Sequence, residues 1–497
     1  MELSIALATM AFLILVCLLS SKLSSWINMP TLIMFLGVGM LAGSEGIGGL
    51  AFENAVTANY IGSFAMAFIL FSGGFDTGWK SVKQVLGCGG LLASVGVLLT
   101  AIFVGVMTWG LLNWLMPEKE ISLSWCLLLG SIVSSTDAAA VFSILRSKSV
   151  SLKGKLQPLL EFESGSNDPM AAFLTIFMVG VITTENASGY LMPWTGYWVI
   201  LPTFAAKMSL GIFWGYGIGR LVVWAYNKFD FNYDGLYYVL AFMVVIFTFS
   251  TTELLYGNGF MAVYVAGLTM GNRRFLFHNS IGKYYDGTAW LMQVILFTML
   301  GLLAFPHQLW EAKWIGLGAA CILMLIARPA AVFLCMIRSK FSFPERLLVS
   351  WVGLRGGAPI MLATFPLMAK IENDQLIFHI VFFIVLMSVV LQGMTLMPVA
   401  RLLKLEAPLK KTVRNPLIVD ETGNSNAQSL EFVIPDAHSG RTLADLKLPG
   451  GALVLLIRRD DSLIVPRGDT QLKKDDYLTI MGSDKALEQC ALMLSQS

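Results

Sequence analysis

The chain has 497 residues, 56% of them hydrophobic and 13% charged, about half the ~25% charged share of a soluble globular chain. A net charge of +2, with no face rich in Lys and Arg, excludes a nucleic-acid footprint. Residues 404–497 alone hold 12 Lys/Arg and 13 Asp/Glu, so a large membrane part precedes a small soluble domain. The six cysteines stand singly, without zinc or redox spacing, and no GxxxxGK[ST] sequence points to an ATP-driven pump.

The first apolar run, Leu3–Ser20, follows an acidic Glu2 without a basic flank and reads as a retained span rather than a cleaved signal. At roughly 20 apolar residues per bilayer crossing, thirteen candidate spans follow, near 3–22, 30–44, 57–75, 85–112, 122–146, 157–183, 193–224, 236–254, 258–272, 284–304, 313–338, 346–369 and 375–403. The second and ninth are short and need neighbouring helices to bury them. Basic residues divide unevenly between alternate loops. One set contains fifteen, among them Lys80, Lys83, Lys148, Lys153, Arg273, Arg274, Arg338 and Arg346, and the other holds only Lys119, Lys313 and Lys370. The excess of Lys and Arg marks the cytoplasmic side. It places the C-terminal domain inside and the N-terminus outside.

The expected fold is therefore an all-α polytopic membrane protein of about thirteen transmembrane helices over residues 1–403. A linker at 404–429 and a small α+β domain at 430–497 complete the chain. Short β-type runs are expected at Glu431–Pro435, Ala452–Arg458, Ser462–Pro466 and Tyr477–Met481, with helical stretches at Thr442–Leu446 and Asp484–Leu494.

Ionisable side chains inside spans are expensive and mark function by default. Ser134-Ser135-Thr136-Asp137 lies in the fifth span, and Glu161 to Pro169 forms a polar stretch in the sixth. Arg328-Pro329 lies in the eleventh, and Gly353-Leu354-Arg355-Gly356-Gly357-Ala358-Pro359 interrupts the twelfth. A guanidinium stays protonated when desolvated, so it can hold one carboxylate as a structural partner. Glu163 and Asp168 are five residues apart, about 140° around a helix, and face differently. Glu163 is assigned to an Arg and Asp168 to a water-accessible cavity. A bare buried carboxylate is costly, so Asp168 must take a proton or a metal cation, which is the physics of an exchanger. Asp137, Thr136, Ser164 and the neutral Asn167 can add oxygens or tune the field. The competing structural reading is that these groups glue helices together, and it is favoured for Arg328 and Arg355. Glu161 reads as interfacial. Gly215-Tyr216-Gly217 looks like part of a potassium filter but lacks the preceding Thr-Val. With Gly211 and Gly219 it instead repeats at the spacing of close helix packing.

Thr136-Asp137, Glu163-Ser164 with Asn167-Asp168, Gly353-Leu354-Arg355-Gly356, Gly259 to Gly267 and Leu391-Gln392-Gly393 together resemble the NhaP-type branch of the monovalent cation:proton antiporters. The resemblance covers residues 1–403. It implies two inverted six-helix repeats, broken crossing helices at the fifth and twelfth spans, a homodimer, and electroneutral exchange of potassium or sodium for protons. Carried over, Asp168, Asp137, Thr136, Ser164 and Asn167 form the ion site, and Glu163 pairs with Arg328 or, as second choice, Arg355. Ile464 to Thr470 followed by Lys474-Asp475-Asp476 is similar to the TrkA-C type of regulatory domain, with Val465 and Asp475 departing from the pattern. This tilts the ion toward potassium. No cofactor is expected; a small nucleotide, such as a cyclic dinucleotide, is the candidate regulatory ligand. The rival function is a ligand-gated monovalent cation channel, and a third is a proton-coupled carrier of an organic solute.

Overall fold

The computed structural model describes residues 2–27, 30–52, 54–115, 121–147, 150–188, 200–408, 427–435, 438–459, 462–474 and 476–495. Lys119, Lys148, Asp475 and most of the expected linker (409–426) lie outside them. There are two compact units: Met1–Ala225, Phe231–Arg273 and Tyr284–Pro408 form one, and Tyr226–Asp230, Arg274–Lys283 and Leu409–Ser497 form the other.

The helical unit opens with α1 (Glu2–Ile27), α2 (Thr31–Ala42) and α3 (Ala55–Asp76). Asn54 caps α3 by accepting from Thr57 N at 3.0 Å, covering one of its otherwise unmatched donors. Next come α4 (Leu86–Leu115), α5 (Leu123–Ile132), α6 (Ala138–Ser147) and α7 (Leu156–Ser188). They are followed by α8 (Ile200–Lys228), α9 (Gly235–Leu254), α10 (Gly259–Gly271) and α11 (His278–Leu302). The last are α12 (Lys313–Cys335), α13 (Phe343–Trp351), α14 (Gly357–Ala369) and α15 (Asp374–Leu402). Among the described residues, α3, α4, α7, α9, α12 and α15 are each long and apolar enough to cross a bilayer alone.

Two predicted spans are broken. The fifth stops at Ile132 and resumes at Ala138, and the twelfth stops at Trp351 and resumes at Gly357. The split at Gly257-Asn258-Gly259 is also present: Tyr256 takes a left-handed φ of 60° and Asn258 caps α10 by accepting from Met261 N at 2.9 Å. Gly211, Gly215 and Gly219 do pack α8 against α10, since a Cβ on each would press on Asn258, Ala262 or Thr269. α4, α12 and α15 each contain one widened turn, at Leu92–Gly96, Ile322–Ala327 and Ser388–Gln392. Such insertions rotate the side chains that follow them.

Strands lie at both ends of the expected linker. Glu406–Pro408 forms β2, which pairs antiparallel with β1 (Val150–Leu152), because Lys153 N and Nζ also reach Leu405 O and Lys404 O at 3.0 and 2.9 Å. At the other end β3 starts at Ala427.

In the C-terminal unit β3 (Ala427–Val433), β4 (Ala452–Arg459), β5 (Ser462–Ile464) and β6 (Tyr477–Ser483) form one antiparallel sheet in the order β3-β6-β4-β5. The helix α16 (Asp484–Ser495) covers it with Leu487, Cys490 and Leu494 over Ile457, Leu478 and Ile480. The expected helix at Thr442–Leu446 is only a tight turn, Ala444–Leu446, closed by Lys447 at φ 46°. The Ile464–Thr470 motif builds a turn in which Arg467 N donates to Thr470 Oγ1 at 2.8 Å. Asp476, 1% exposed, accepts from Arg459 Nε and Nη2 at 2.9 and 2.8 Å and from Lys473 N at 2.7 Å. Burial pushes its carboxyl up, but Arg459 and the Lys473 amide outweigh it and hold the carboxyl below the usual range. A depressed folded pKa stabilises above the ordinary carboxylate range, and that contribution is lost as pH falls through the folded value. Asp476→Asn is expected to cost the sheet about 1.5–3 kcal/mol at neutral pH. Hydrogen exchange of the β4 and β6 amides in the whole chain should show this. Acidification should then weaken the wild-type sheet and leave the variant nearly unchanged.

Candidate ion-binding site

The two helix breaks meet. Asp137 N donates to Leu354 O at 2.7 Å, joining the segment between α5 and α6 to the one between α13 and α14. Neither segment can complete its own helical ladder, so each supplies partners to the other. Arg355, 1% exposed, donates through Nη1 to Ser134 O at 2.9 Å and also to Ser135 O. Its backbone N donates to Ser388 Oγ at 3.1 Å, Ser388 donates to Gln392 Oε1 at 2.5 Å, and Gln392 Nε2 donates to Trp351 O at 3.0 Å. Ser388 and Gln392 both lie in the widened turn of α15, which presents them together to the break in the neighbouring helix.

Glycine makes the meeting sterically feasible at two points. A Cβ at Gly356 would overlap the Asp137 carboxylate, and one at Gly353 would stand 2.9 Å from Arg328 Nε. Asp137 also caps α6, its Oδ1 accepting from Ala140 N at 3.2 Å. A carboxylate at a helix N-terminus is favoured by the helix dipole.

Arg328 and Arg355 take separate jobs. Arg328 Nη1 lies 2.6 Å from Glu163 Oε1, with 3% and 1% of the two side chains exposed. Glu163 is therefore matched by Arg328, and the second choice, Arg355, is corrected: its guanidinium is directed at the carbonyls of the α5–α6 break. The widened turn at Ile322–Ala327 immediately precedes Arg328.

Asp168 faces elsewhere, as the 140° separation requires. It lines a cavity of about 180 Å³ together with Ser135, Thr136, Asp137 and Ser164. Its Oδ1 is sealed from solvent and accepts no hydrogen bond. Ser164 Oγ accepts from Ala138 N and donates to Thr136 O, both at 2.9 Å. Asn167, grouped with the ion ligands on sequence, is fully buried and off the cavity wall. It points at the break instead, and Nδ2 donates to Thr136 Oγ1 at 2.6 Å. Asn167 thus orients a wall residue.

Sequence reasoning missed three members of the wall. Glu161, read as interfacial, lines the cavity with Asp76 and Tyr264. Tyr264 is 2% exposed, its hydroxyl has no hydrogen-bond partner, and a Cβ at Gly165 would collide with its ring. Gly165, between Ser164 and Ser166, was the available signal that something packs flat against α7. Asp76 gave none, since a span-end acid reads as solvated.

A family model described as the transmembrane sodium/hydrogen exchanger matches residues 10–402, and a TrkA-C domain model matches 430–494. The K(+)/H(+) antiporter NhaP2 of Shewanella sp. (strain ANA-3) is 37% identical over 98% of this chain and 83% of its own length. The K(+)/H(+) antiporter NhaP of Alkalimonas amylolytica is 36% identical over 96% and 81%. Among solved structures, the sodium proton antiporter MjNhaP1 from Methanocaldococcus jannaschii at pH 8 aligns with a TM-score of 0.65 at 23% identity. It covers 79% of this chain and all of that one, and speaks for the fold alone.

Proposed function

Because this chain belongs to the sodium/hydrogen exchanger family, we propose that it is an electroneutral antiporter exchanging cytoplasmic potassium, or sodium, for external protons at Asp168 by alternating access. It is a multi-pass membrane transporter with a TrkA-C domain, not an enzyme. The observation that carries the finer reading is the unmatched Oδ1 of Asp168 on the cavity wall.

Charge balance supports one-for-one exchange. Glu163 is matched by Arg328. Arg355 lies in the Coulombic field of Asp168, and Asp137 acts on Asp168 in turn. Two aspartates against one guanidinium leave a single negative charge, which one proton or one monovalent cation neutralises. An unloaded site would carry a bare charge through a low-dielectric body, so only the loaded forms move readily. Thr136, Ser164 and the carbonyls at the helix break replace water around a dehydrated ion. Thirteen spans in two inverted repeats, with the broken pairs α5–α6 and α13–α14 crossing, belong to the same proposal. So do a homodimer, an outside N-terminus and a cytoplasmic C-terminal domain that regulates transport through a small nucleotide. The family match leaves the channel alternative without support.

Competition for one carboxylate has a quantitative signature. In proteoliposomes read by a pH-sensitive dye, the half-saturating potassium concentration should rise about tenfold per unit of acidification below the site's titration, at constant maximal rate. The same series with sodium chloride compares the two ions. A half-saturating concentration independent of pH would reject a shared site.

A further inference from the structure

A second, larger cavity of about 890 Å³ opens between α4 and α7 on one side and α8 and α10 on the other, within the ~300–1,000 Å³ range of ligand pockets. Apolar groups such as Ala93, Met170, Ile212 and Leu268 dominate its wall, and among the described residues lining it there is no Asp or Glu. One polar group of its wall is formed by Trp79, Asn272, Tyr216 and Arg273. There Trp79 N donates to Asn272 Oδ1 at 2.7 Å and Asn272 Nδ2 to Thr77 O at 2.8 Å, tying the end of α3 to the end of α10. Beside them Arg220 Nη1 donates to Tyr216 Oη at 3.1 Å, with its guanidinium 5.8 Å from that ring, and Arg273 approaches the same hydroxyl from the loop. Neither guanidinium has a carboxylate partner among the described residues.

We infer that this cleft is a binding site for an anionic phospholipid, one acyl chain lying between α4, α7, α8 and α10 and the phosphate held by Arg220 and Arg273. The argument is charge complementarity joined to shape. An apolar slot gains about 0.8 kcal/mol per buried methylene, and two guanidiniums at its mouth, neither with a carboxylate partner among the described residues, supply charge-assisted hydrogen bonds to phosphate oxygens. The mouth lies at the end that carries Lys80 and Lys83, the side the basic-loop excess marks as cytoplasmic, where anionic headgroups attract such residues. Tyr264 and Ser166 line the cleft, and Tyr264 also walls the Asp168 cavity. A bound chain therefore abuts the ion cavity through one aromatic ring. The assignment does not depend on which group carries the ion.

The test is native mass spectrometry of the full chain, delipidated in detergent and titrated with phosphatidylglycerol or phosphatidylcholine. The wild type should retain phosphatidylglycerol at least ~10-fold better than phosphatidylcholine, the share expected of a charge-assisted pair worth 1.4 kcal/mol or more. An Arg220→Gln/Arg273→Gln variant should lose that preference. Gly90 lines the cleft, and a Cβ there meets open space, so Gly90→Phe puts a ring into the slot and should lose both lipids while keeping the wild-type melting temperature. Equal retention of the two lipids, a preference that survives the double substitution, or unchanged binding by Gly90→Phe would each overturn the site. Displacement of the lipid by millimolar inorganic phosphate would also overturn it, by assigning the guanidiniums to a soluble anion.

Discussion

Asp168→Asn should abolish exchange, leaving the dye response of reconstituted protein at the level of protein-free vesicles with either potassium or sodium chloride. An amide has no proton to release and no charge to offer a cation, so both loaded forms disappear together. The variant should nevertheless fold. It removes a buried acid whose Oδ1 has no hydrogen-bond partner and relieves its repulsion with Asp137, so its melting temperature in detergent should match or exceed the wild type. That pairing of outcomes separates transport from structure. Retained exchange would remove Asp168 from its role, and loss of exchange with a collapsed melting curve would return it to the helix-gluing reading.

The opposite pattern is expected at Glu163. Glu163→Gln strands the Arg328 guanidinium in a site where 3% of its side chain is exposed, and breaking a buried pair at one partner costs about 3–5 kcal/mol. The contact is short, yet Glu163 Oε2 accepts no hydrogen bond, so the pair is held mainly by charge. A Glu163→Leu/Arg328→Leu variant removes both charges and should recover most of the lost stability, because a well-packed apolar pair is often neutral or better. Exchange should survive in the double variant. A normal melting curve for Glu163→Gln would end the ion-pair account. Loss of transport in a stable double variant would instead give the pair a part in the ion cycle.

The TrkA-C match sets the C-terminal unit apart from this chemistry. Its motif residues explain a fold rather than a ligand: Thr470 closes a turn on Arg467, and Asp476 clamps Arg459 and the Lys473 amide.

Several things were readable in the order of residues alone. Apolar runs of bilayer length, a charge-poor body and a charged tail determined the class, because the cost of charge in lipid is paid locally, residue by residue. The 140° between positions 163 and 168 likewise separated a paired carboxylate from a cavity-facing one before any neighbour was known. What tertiary structure decided was partnership. Spacing alone does not tell Arg328 from Arg355 as lone guanidiniums in spans, although the family resemblance ranks Arg328 first. Only the widened turn before Arg328, and the meeting of the two helix breaks around Arg355, send one to Glu163 and the other to the Ser134 and Ser135 carbonyls. Asn167 stands off the cavity wall and bonds Thr136, and Glu161 and Tyr264 belong to that wall. Such assignments depend on which helices touch, and side chains hundreds of positions apart leave no trace of that in local spacing.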